Sequence, residues 1–576
     1  MRDGRVVLVS AGCAAVLGAV YLTLPTMGSD LSAQVARAEF FAAHGAAPVD
    51  LRWYGGVHPF GYSLVSPPVM ALLGVRLTGV LALVVASAAF AALLVRTRVP
   101  RPFAGSLVGV VCIAGNLVSG RVTYGLGVAF GLLALLALTV GGPQSGSGGL
   151  PRPGRWLRYG GAVGGALLAS ATSPVAGLFV GLVGAALLLS SVPETAAGFR
   201  RYVPGLALGL AAAGPLAVTT MAFGEGGWMN ISRTDTVHAV LTSLVVAGLV
   251  AYRPVRAAAL LSAGGVLAAA LLHTPVGLNA TRLVVMFALP VLAACATPPA
   301  ALHRRLAARV SVRLVGQPAG RVAGRPGGWT MWPDGPPDRA GGGSAGVVGR
   351  VALVVLLGAV CWWQPPVVVA DLRSMGDAPS DRGYFAPLRA ELDRRGLTGR
   401  VEIPPTRNYW EAAHLGDVPL ARGWLRQADI DRNPLFFSTV PGAAGTGVPL
   451  TAGSYRAWLA GNAVQYVAVP DTALSWVGRA EAELVASGLP YLAPVWSDAH
   501  WRLYAVADPE PIVGAPGVLV GWTAASVTFR APAAGAIDLR VRYSRWLTVD
   551  GGARVAPAGD WLTVTVPRAG TYTLGG

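Results

Sequence analysis

The sequence is poor in charge and in cysteine, and it contains no lysine. Only 13% of its 576 residues are charged, 53% are hydrophobic, and all 45 basic residues are arginine. A soluble globular domain carries about 25% charged residues, so this composition indicates a chain that lies largely in a membrane. The four cysteines lie inside apolar segments, where a thiol behaves as a small hydrophobic group, and none follows Cys361. A disulfide framework is therefore excluded for the remainder of the chain.

Common catalytic and nucleotide-binding motifs are also missing. The chain has no P-loop, no HExxH or paired CxxC metal site, and no GxSxG nucleophile elbow. The net charge of +17 suggests nucleic-acid binding, but the arginines cluster between apolar segments, which is the pattern of cytoplasmic loops in membrane proteins. We therefore predict no cofactor, no metal site and no nucleic-acid partner.

Apolar runs of about 17–25 residues divide residues 1–363 into about eleven predicted transmembrane helices, which makes the lipid bilayer the first expected partner. Arg2 and Arg5 precede the first run, so the positive-inside rule predicts a cytoplasmic N-terminus in a multi-pass plasma-membrane protein. The loop at 28–66 then lies outside. Residues 299–348 are rich in Gly, Pro and Arg and are predicted to form a disordered cytoplasmic linker. The last span carries the rest of the chain outside.

The composition changes after about residue 366. Residues 366–509 alternate helical patterns with short apolar strands, which predicts an extracytoplasmic α/β domain. Residues 510–576 consist of alternating segments separated by Gly and Pro, which predicts a β-sandwich. The predicted fold class is thus an α-helical polytopic membrane protein with these two domains at its C-terminal end.

The loop at 28–66 concentrates the groups that could do chemistry. Asp30 follows the first span directly, and a half-shielded carboxylate at the interface can act as a general base. The plainer interpretation is an N-cap for a helix at 31–43, which we expect to lie on the membrane surface. The two roles are compatible, because a cap also fixes the position of the carboxylate.

Other polar residues of the predicted outer loops are candidate ligands. Arginine and histidine near a bilayer can bind a lipid phosphate, which makes candidates of Arg52, His58, Arg121 and Arg282. Asp50, Trp53 and Tyr54 are candidates for binding a sugar acceptor, although Trp and Tyr are equally expected in an interfacial belt. Trp410 and Trp424 lie among Arg, Asp and Asn, a combination that suits sugar rings as well as ordinary packing.

The chain resembles a known superfamily. The shared features are the N-terminal span, the polar loop with an early Asp, the apolar element HPFGYSLVSPPVMALLG, and GWLRQADIDRNPLFF near the C-terminus. They resemble the GT-C membrane glycosyltransferases, in particular large actinobacterial proteins of arabinofuranosyl- and mannosyltransferase type. That group includes proteins often labelled 6-pyruvoyl-tetrahydropterin synthase related. The label implies a zinc-and-histidine enzyme, and no matching cluster occurs in the sequence.

The resemblance implies a function. In GT-C enzymes an Asp of the first loop is typically the base, which corresponds to Asp30. Many carry an acidic pair there, whereas this chain has Ser29-Asp30, so a divalent metal is unsupported. The expected activity is inverting transfer of a sugar from a polyprenyl-phosphate donor to a cell-envelope glycan or lipid outside the membrane. Two alternatives remain open at this point: a transporter or lipid flippase, and a non-catalytic glycan-binding protein of envelope assembly.

Overall fold

The computed structural model describes residues 2–140, 154–191, 201–224, 226–297, 344–443 and 447–576. Most of the predicted cytoplasmic linker at 299–348 lies outside these residues. A helix occupies each position at which a membrane span was predicted. These apolar helices are α1 (Arg2–Thr23), α4 (Val75–Arg96), α5 (Pro102–Val118), α6 (Val122–Leu138), α7 (Gly154–Thr172), α8 (Pro174–Ser190), α9 (Val203–Phe223), α10 (Arg233–Leu249), α11 (Arg253–Leu271), α12 (Arg282–Cys295) and α13 (Ser344–Trp363).

Five segments of the described chain are long and apolar enough to cross a membrane. They are Asp3–Thr23, Val75–Arg96, Val203–Phe223, Arg253–Leu271 and Gly277–Cys295, and four shorter apolar helices accompany them. A multi-pass membrane protein agrees with this set. The total of eleven spans and the orientation of the termini remain predictions.

Small residues let the apolar helices pack closely. A Cβ atom added to Gly79 of α4 would lie 2.5 Å from the Leu117 side chain of α5, and one added to Gly127 of α6 would lie 2.7 Å from Ala176 of α8. Apolar side chains gain little by leaving lipid for a helix contact, so close backbone approach at small residues is a main source of helix association. The glycine-rich composition therefore has a packing role.

We use the name first loop for residues 28–73, that is, the predicted loop at 28–66 together with the short helix that begins at residue 66. The first loop contains two helices. These helices are α2 (Leu31–His44) and α3 (Ser66–Leu73). The predicted helix at 31–43 is confirmed, but it does not lie open on a membrane surface. Eight of the 14 residues of α2 are buried, and Ser32 Oγ donates a hydrogen bond of 2.6 Å to the carbonyl oxygen of Asn408. The C-terminal part of the chain covers the helix.

Residues 366–509 contain a four-stranded sheet in the order β1-β2-β4-β3. Strands β1 and β2 are parallel, and the other pairs are antiparallel. The strands are β1 (Arg400–Glu402), β2 (Val464–Pro470), β3 (Leu492–Ser497) and β4 (Trp501–Val506). The helices are α14 (Val369–Arg373), α15 (Ala386–Arg395), α16 (Glu411–His414), α17 (Arg426–Arg432), α18 (Ala452–Gly461) and α19 (Trp476–Ala486).

Residues 510–576 form two antiparallel sheets, ordered β7-β10-β9 and β5-β6-β11-β8. Alternate residues of β6 and β10, such as Val527, Phe529, Leu562 and Val564, are fully buried, as expected where two sheets pack face to face. The strands are β5 (Val518–Thr523), β6 (Ser526–Ala531), β7 (Gly535–Leu539), β8 (Thr548–Val549), β9 (Arg554–Ala558), β10 (Trp561–Val566) and β11 (Gly570–Gly575).

Backbone hydrogen bonds attach the first loop to the α/β region and to the β-sandwich. Leu420 N donates to the carbonyl oxygen of Arg52 at 2.7 Å on the α/β side. Arg542 N donates to the carbonyl oxygen of Gly55 at 2.8 Å on the sandwich side. The loop is therefore enclosed by protein on two sides, and its position is fixed relative to the helices below it.

Candidate active site

Asp30 lies where the start of α2 meets the turn between α5 and α6. Its backbone N–H donates to the carbonyl oxygen of Ser119 at 3.0 Å. Gly28 and Gly120 have φ angles of +109° and +74°, and a Cβ atom on either would lie 2.6 Å from the opposite segment. Only glycine suits such positions at no steric cost, so the two glycines allow the segments to touch. The contact places Asp30 beside Arg121.

The Asp30 carboxylate is held by two arginines. Its Oδ2 atom lies 3.4 Å from Arg121 Nε and 3.1 Å from Arg282 Nη2. Arg121 precedes α6 and Arg282 begins α12, so three distant segments converge on one oxygen atom. Asp30 occupies the N-cap position of α2, but its side chain makes no capping hydrogen bond. The N-cap interpretation thus holds for position and is wrong for the carboxylate.

Each arginine has further support. Arg282 lies over the ring of Tyr124, with its guanidinium carbon 5.4 Å from the ring centroid. Asn116 Nδ2 donates to the carbonyl oxygen of Arg121 at 3.2 Å. Asn116 and Arg121 also line a small cleft between α4, α5 and α6 whose other walls are apolar, including Leu83, Ile113 and Leu117. Arg121 therefore lies at a small apolar cleft among the apolar helices, while Arg282 packs on Tyr124.

A second carboxylate at the site comes from the segment that follows the last apolar helix in the sequence. Asp371 of α14 is 3% exposed, and its Oδ1 accepts a hydrogen bond of 3.0 Å from the backbone N–H of Ser29. Its Oδ2 atom has no hydrogen-bond partner among the described residues. Asp371 thereby fixes the peptide that precedes Asp30. Nothing in the local sequence around 371 indicates this contact, which spans 342 positions.

Two residues of α2 that the sequence reasoning missed lie on the same helix face as Asp30. Gln34 is fully buried and Arg37 is 4% exposed. The guanidinium carbon of Arg37 lies 3.6 Å from the ring centroid of Tyr62 and 5.3 Å from that of Trp424. Burial lowers the pKa of Arg37, and the nearby Tyr62 and Asp30 oppose that shift. The spacing i, i+4, i+7 from Asp30 is the signal that could have identified them.

Trp424 is the predicted sugar ligand that the structure brings closest to Asp30. Its indole Nε1 donates to the carbonyl oxygen of Ser29 at 3.2 Å, and its ring packs edge-on against Tyr62 at 6.3 Å between centroids. Of the residues proposed from sequence, the structure groups Asp30, Arg121, Arg282 and Trp424. The others have different surroundings.

Two predicted phosphate ligands brace the loop. Arg52 is 5% exposed, and its guanidinium is bound by the Asp50 carboxylate at 2.7 Å and by the carbonyl oxygen of Ala36 at 3.0 Å. His58 Nε2 is hydrogen-bonded to Ser544 Oγ of the sandwich at 2.8 Å. These contacts show that Arg52, Asp50 and His58 help to hold the first loop, and the phosphate-binding and acceptor-binding roles predicted for them from sequence stay predictions.

Three predicted acceptor ligands are interior packing residues. Trp53 is 2% exposed and donates through Nε1 to the carbonyl oxygen of Ala412 at 3.3 Å. Tyr54 is equally buried and donates to the carbonyl oxygen of Gly423 at 2.6 Å. Trp410 is 2% exposed and stacks on a neighbouring imidazole ring. Trp53 and Tyr54 are buried with their polar atoms hydrogen-bonded, and Trp410 is buried against an imidazole ring, so these contacts favour packing, and the acceptor-binding role of the three residues stays a prediction.

The imidazole under Trp410 belongs to His414, which shares α16 with Glu411, and the two should have opposite effects on stability. Burial raises the pKa of Glu411 from 4.5 to about 7 and lowers the pKa of His414 from 6.5 to about 4. As pH rises from 4.5 to 7, Glu411 therefore lowers the free energy of unfolding by about 3 kcal/mol. Falling pH costs a similar amount through His414 between pH 6.5 and 4.

The two variants should depart from the wild-type stability profile in opposite directions. Relative to the wild type, Glu411→Gln should gain stability as pH rises from 4.5 to 7, and His414→Gln should lose stability as pH rises from 4 to 6.5. Melting temperature against pH, followed by tryptophan fluorescence of the full-length protein, tests this. Parallel profiles for both variants would contradict it.

Within the described residues, no group of three or more His, Cys, Asp or Glu side chains is arranged to hold a metal ion. The chemistry available at the site is that of two carboxylates, Asp30 and Asp371, and several arginine cations.

No protein-family model matches the chain, and no curated protein matches it. Among solved structures, the chain is similar to the arabinofuranosyltransferase AftD from Mycobacteria, with 16% identity and a TM-score of 0.43 over 88% of this chain and 40% of that one. It is also similar to apo ArnT from Cupriavidus metallidurans, with 13% identity and a TM-score of 0.44 over 88% of this chain and 98% of that one.

The chain spans about two fifths of the length of the AftD structure. Because both TM-scores lie below 0.5, the function proposed below is argued from the geometry of the site.

Proposed function

We propose that this chain is a membrane glycosyltransferase that moves a sugar from a polyprenyl-phosphate donor to a cell-envelope glycan or lipid on the outer side of the membrane. The observation that carries the proposal is the Asp30 carboxylate, 8% exposed, with Arg121 and Arg282 within 3.4 Å of one of its oxygen atoms. A carboxylate can accept a proton and two guanidinium groups can hold a phosphate, which are the two requirements of this reaction.

The reaction is a single in-line displacement. Asp30 removes the proton from an acceptor hydroxyl while that oxygen forms a bond to the anomeric carbon of the sugar. The bond from the anomeric carbon to the phosphate oxygen breaks, and its electron pair leaves with the polyprenyl phosphate. Arg121 and Arg282 stabilise the charge that develops on the phosphate, where fixed cations in a water-poor site are most effective.

The charge of the site selects the kind of donor. The formal charges of Asp30, Asp371, Arg37, Arg121 and Arg282 together give +1, and a phosphodiester donor carries about −1, so the loaded site is neutral. In the reaction the phosphate gains one negative charge as Asp30 gains one proton, and the site stays neutral. A diphosphate donor would leave an excess negative charge in a largely buried site, which is unfavourable.

The surroundings of the site fit a lipid donor. The cleft that contains Arg121 has apolar walls on α4, α5 and α6. The cleft has room for about one water molecule, so the hydrocarbon chain of a donor would lie along the apolar helix faces beside Arg121, with its anionic head group at the arginine. The C-terminal region contacts the site through Trp424, whose partly exposed indole offers a surface for the sugar ring of a glycan acceptor.

A donor panel tests the proposal. The purified full-length protein in lipid nanodiscs is incubated with radiolabelled polyprenyl-phosphate pentoses and hexoses, with matched polyprenyl-diphosphate sugars and nucleotide sugars as comparison. We expect transfer to envelope glycan fragments, or slow donor hydrolysis, with a monophosphate donor alone. Turnover of nucleotide or diphosphate sugars only, or of none, would overturn the proposal. Movement of intact donor across a bilayer without transfer would favour a flippase.

Arginine variants test the phosphate-binding role. Arg121→Gln and Arg282→Gln each remove a charge-assisted contact worth about 1.5–3 kcal/mol, so the KM for the donor should rise about 10- to 100-fold. The matched control is Arg394→Gln on α15, whose side chain is 65% exposed and pairs with Glu391. The control should keep the wild-type KM. An unchanged donor KM in both site variants would remove the arginines from the mechanism.

A further inference from the structure

The face of α2 that begins at Asp30 continues with two buried polar side chains. Gln34 and Arg37 follow Asp30 by four and seven residues, so the three share one side of the helix. Side chains of a helix slant toward its N-terminus, so Arg37 reaches back toward Gln34 and Asp30. The three residues form a continuous polar stripe in an otherwise apolar interior.

Gln34 presents a free hydrogen-bond donor. Its Oε1 atom accepts a hydrogen bond of 2.6 Å from Thr123 Oγ1, and Thr123 is itself joined to Ser66 Oγ at 2.7 Å. This network fixes the orientation of the amide. The Nε2 atom is buried and has no hydrogen-bond partner among the described residues. An unpaired buried donor is costly to keep, and a ligand that accepts its hydrogen bond removes the cost.

Arg37 is in a similar situation. Its Nη1 atom is buried without a hydrogen-bond partner in the described part of the chain. No carboxylate of the described residues lies within 4 Å of its guanidinium group, unlike the arginine at 52 with its aspartate. One face of the guanidinium group lies on Tyr62 at 3.6 Å, which leaves Nη1 as its unpaired donor.

Two aromatic rings complete the surroundings of the stripe. Tyr62 and Trp424 are each partly exposed and pack edge-on at 6.3 Å between centroids. Trp424 is also hydrogen-bonded through Nε1 to the carbonyl oxygen of Ser29, next to Asp30. Donors, an aromatic wall and the candidate base therefore adjoin one another.

We propose that Gln34 and Arg37, with Tyr62 and Trp424, form a subsite for the ring of a sugar that reacts at Asp30. The hydroxyl oxygens of the ring accept hydrogen bonds from Gln34 Nε2 and Arg37 Nη1, and its C–H face packs on the aromatic rings. A neutral amide donor and an aromatic wall fit a polyhydroxylated ring better than a second phosphate. This proposal rests on the function proposed above, and the ring can belong to the donor or to the acceptor.

The test uses Gln34→Leu and Arg37→Met in the full-length protein in nanodiscs. Each variant should raise the KM for one sugar substrate at least tenfold with little change in kcat. If the ring belongs to the donor, hydrolysis of the donor without acceptor shows the same shift. If it belongs to the acceptor, only the acceptor KM rises. Wild-type KM values for both substrates in both variants would overturn the subsite.

Controls separate this proposal from packing and from the proposed function. Glu39→Gln alters the other side of α2, where Glu39 pairs with Arg382 at the surface, and should leave both KM values unchanged. If the wild type transfers sugar and the variants match it, only the subsite fails. If the wild type transfers nothing, saturation-transfer NMR with methyl pentosides and hexosides still decides. Wild-type binding that Gln34→Leu abolishes supports the subsite, and equal spectra overturn it.

Discussion

Replacing Asp30 with Asn is expected to lower the rate of sugar transfer about 1000-fold while leaving donor binding nearly intact, since general-base catalysis typically contributes about 10²- to 10⁴-fold. Asparagine keeps the shape of the side chain and can still meet Arg121 and Arg282 through its amide oxygen, but it cannot take the proton. The measurement is kcat for transfer with a polyprenyl-phosphate sugar at saturating donor.

A matched variant distinguishes the base from a neighbouring carboxylate. Asp371→Asn retains an acceptor for the Ser29 N–H and should reduce kcat far less, because Asp371 positions the peptide and touches no reacting atom. Equal losses in the two variants would mean that Asp30 acts through the structure of the loop. A rate within threefold of the wild type in Asp30→Asn would exclude it as the base.

Local sequence was sufficient to place the parts of the site that lie at segment ends. Asp30 was found because it follows the first apolar helix, and Arg121 and Arg282 because arginine is unusual in outer loops. Each occupies the start of a helix in the structure, and close packing of small residues brings these starts together. Positions fixed by span boundaries are predictable, because span length is set by the bilayer.

The remaining site residues depend on contacts that no local pattern encodes. Arg52 resembles a phosphate ligand in sequence, yet Asp50, two positions earlier, holds its guanidinium group in an ion pair of 2.7 Å. Asp371, which follows the last apolar helix in the sequence, contacts Ser29, which follows the first apolar helix. Trp410 and Trp424 have similar neighbours in sequence, but one is interior and the other faces the site. Other parts of the chain pack over the first loop. The role of each of its side chains therefore depends on tertiary contacts, which the local sequence does not encode.

The α/β region carries a second prediction with a large effect, because its interior contains three carboxylates around one arginine. Arg422 lies 3.1 Å from Glu402, 3.5 Å from Glu481 and 4.0 Å from Asp429, and all four side chains are at most 2% exposed. Burial raises the pKa of each of these carboxyl groups, and Arg422 opposes the shift. No sequence pattern indicates this cluster, since Asp, Glu and Arg side chains ordinarily face solvent and are fully buried only when they are paired.

Replacing Arg422 with Met is expected to destabilise this region by about 3–5 kcal/mol at neutral pH, because it leaves buried carboxylates without their cation. The loss of stability should depend on pH because the pKa values of these carboxyl groups are raised in the folded protein. The folded variant holds the groups neutral, whereas the unfolded chain ionises them above about pH 4.5. The loss of stability should therefore shrink as pH falls. Adding Glu402→Gln to Arg422→Met removes one carboxyl group and should restore part of the loss. Thermal unfolding of the full-length protein at pH 7.5 and pH 4.5 measures both effects. The guanidinium carbon of Arg422 also lies 3.9 Å from the centroid of the Phe436 ring. A loss of stability that is the same at both pH values would mean that the variant loses this packing contact and not the charge interaction.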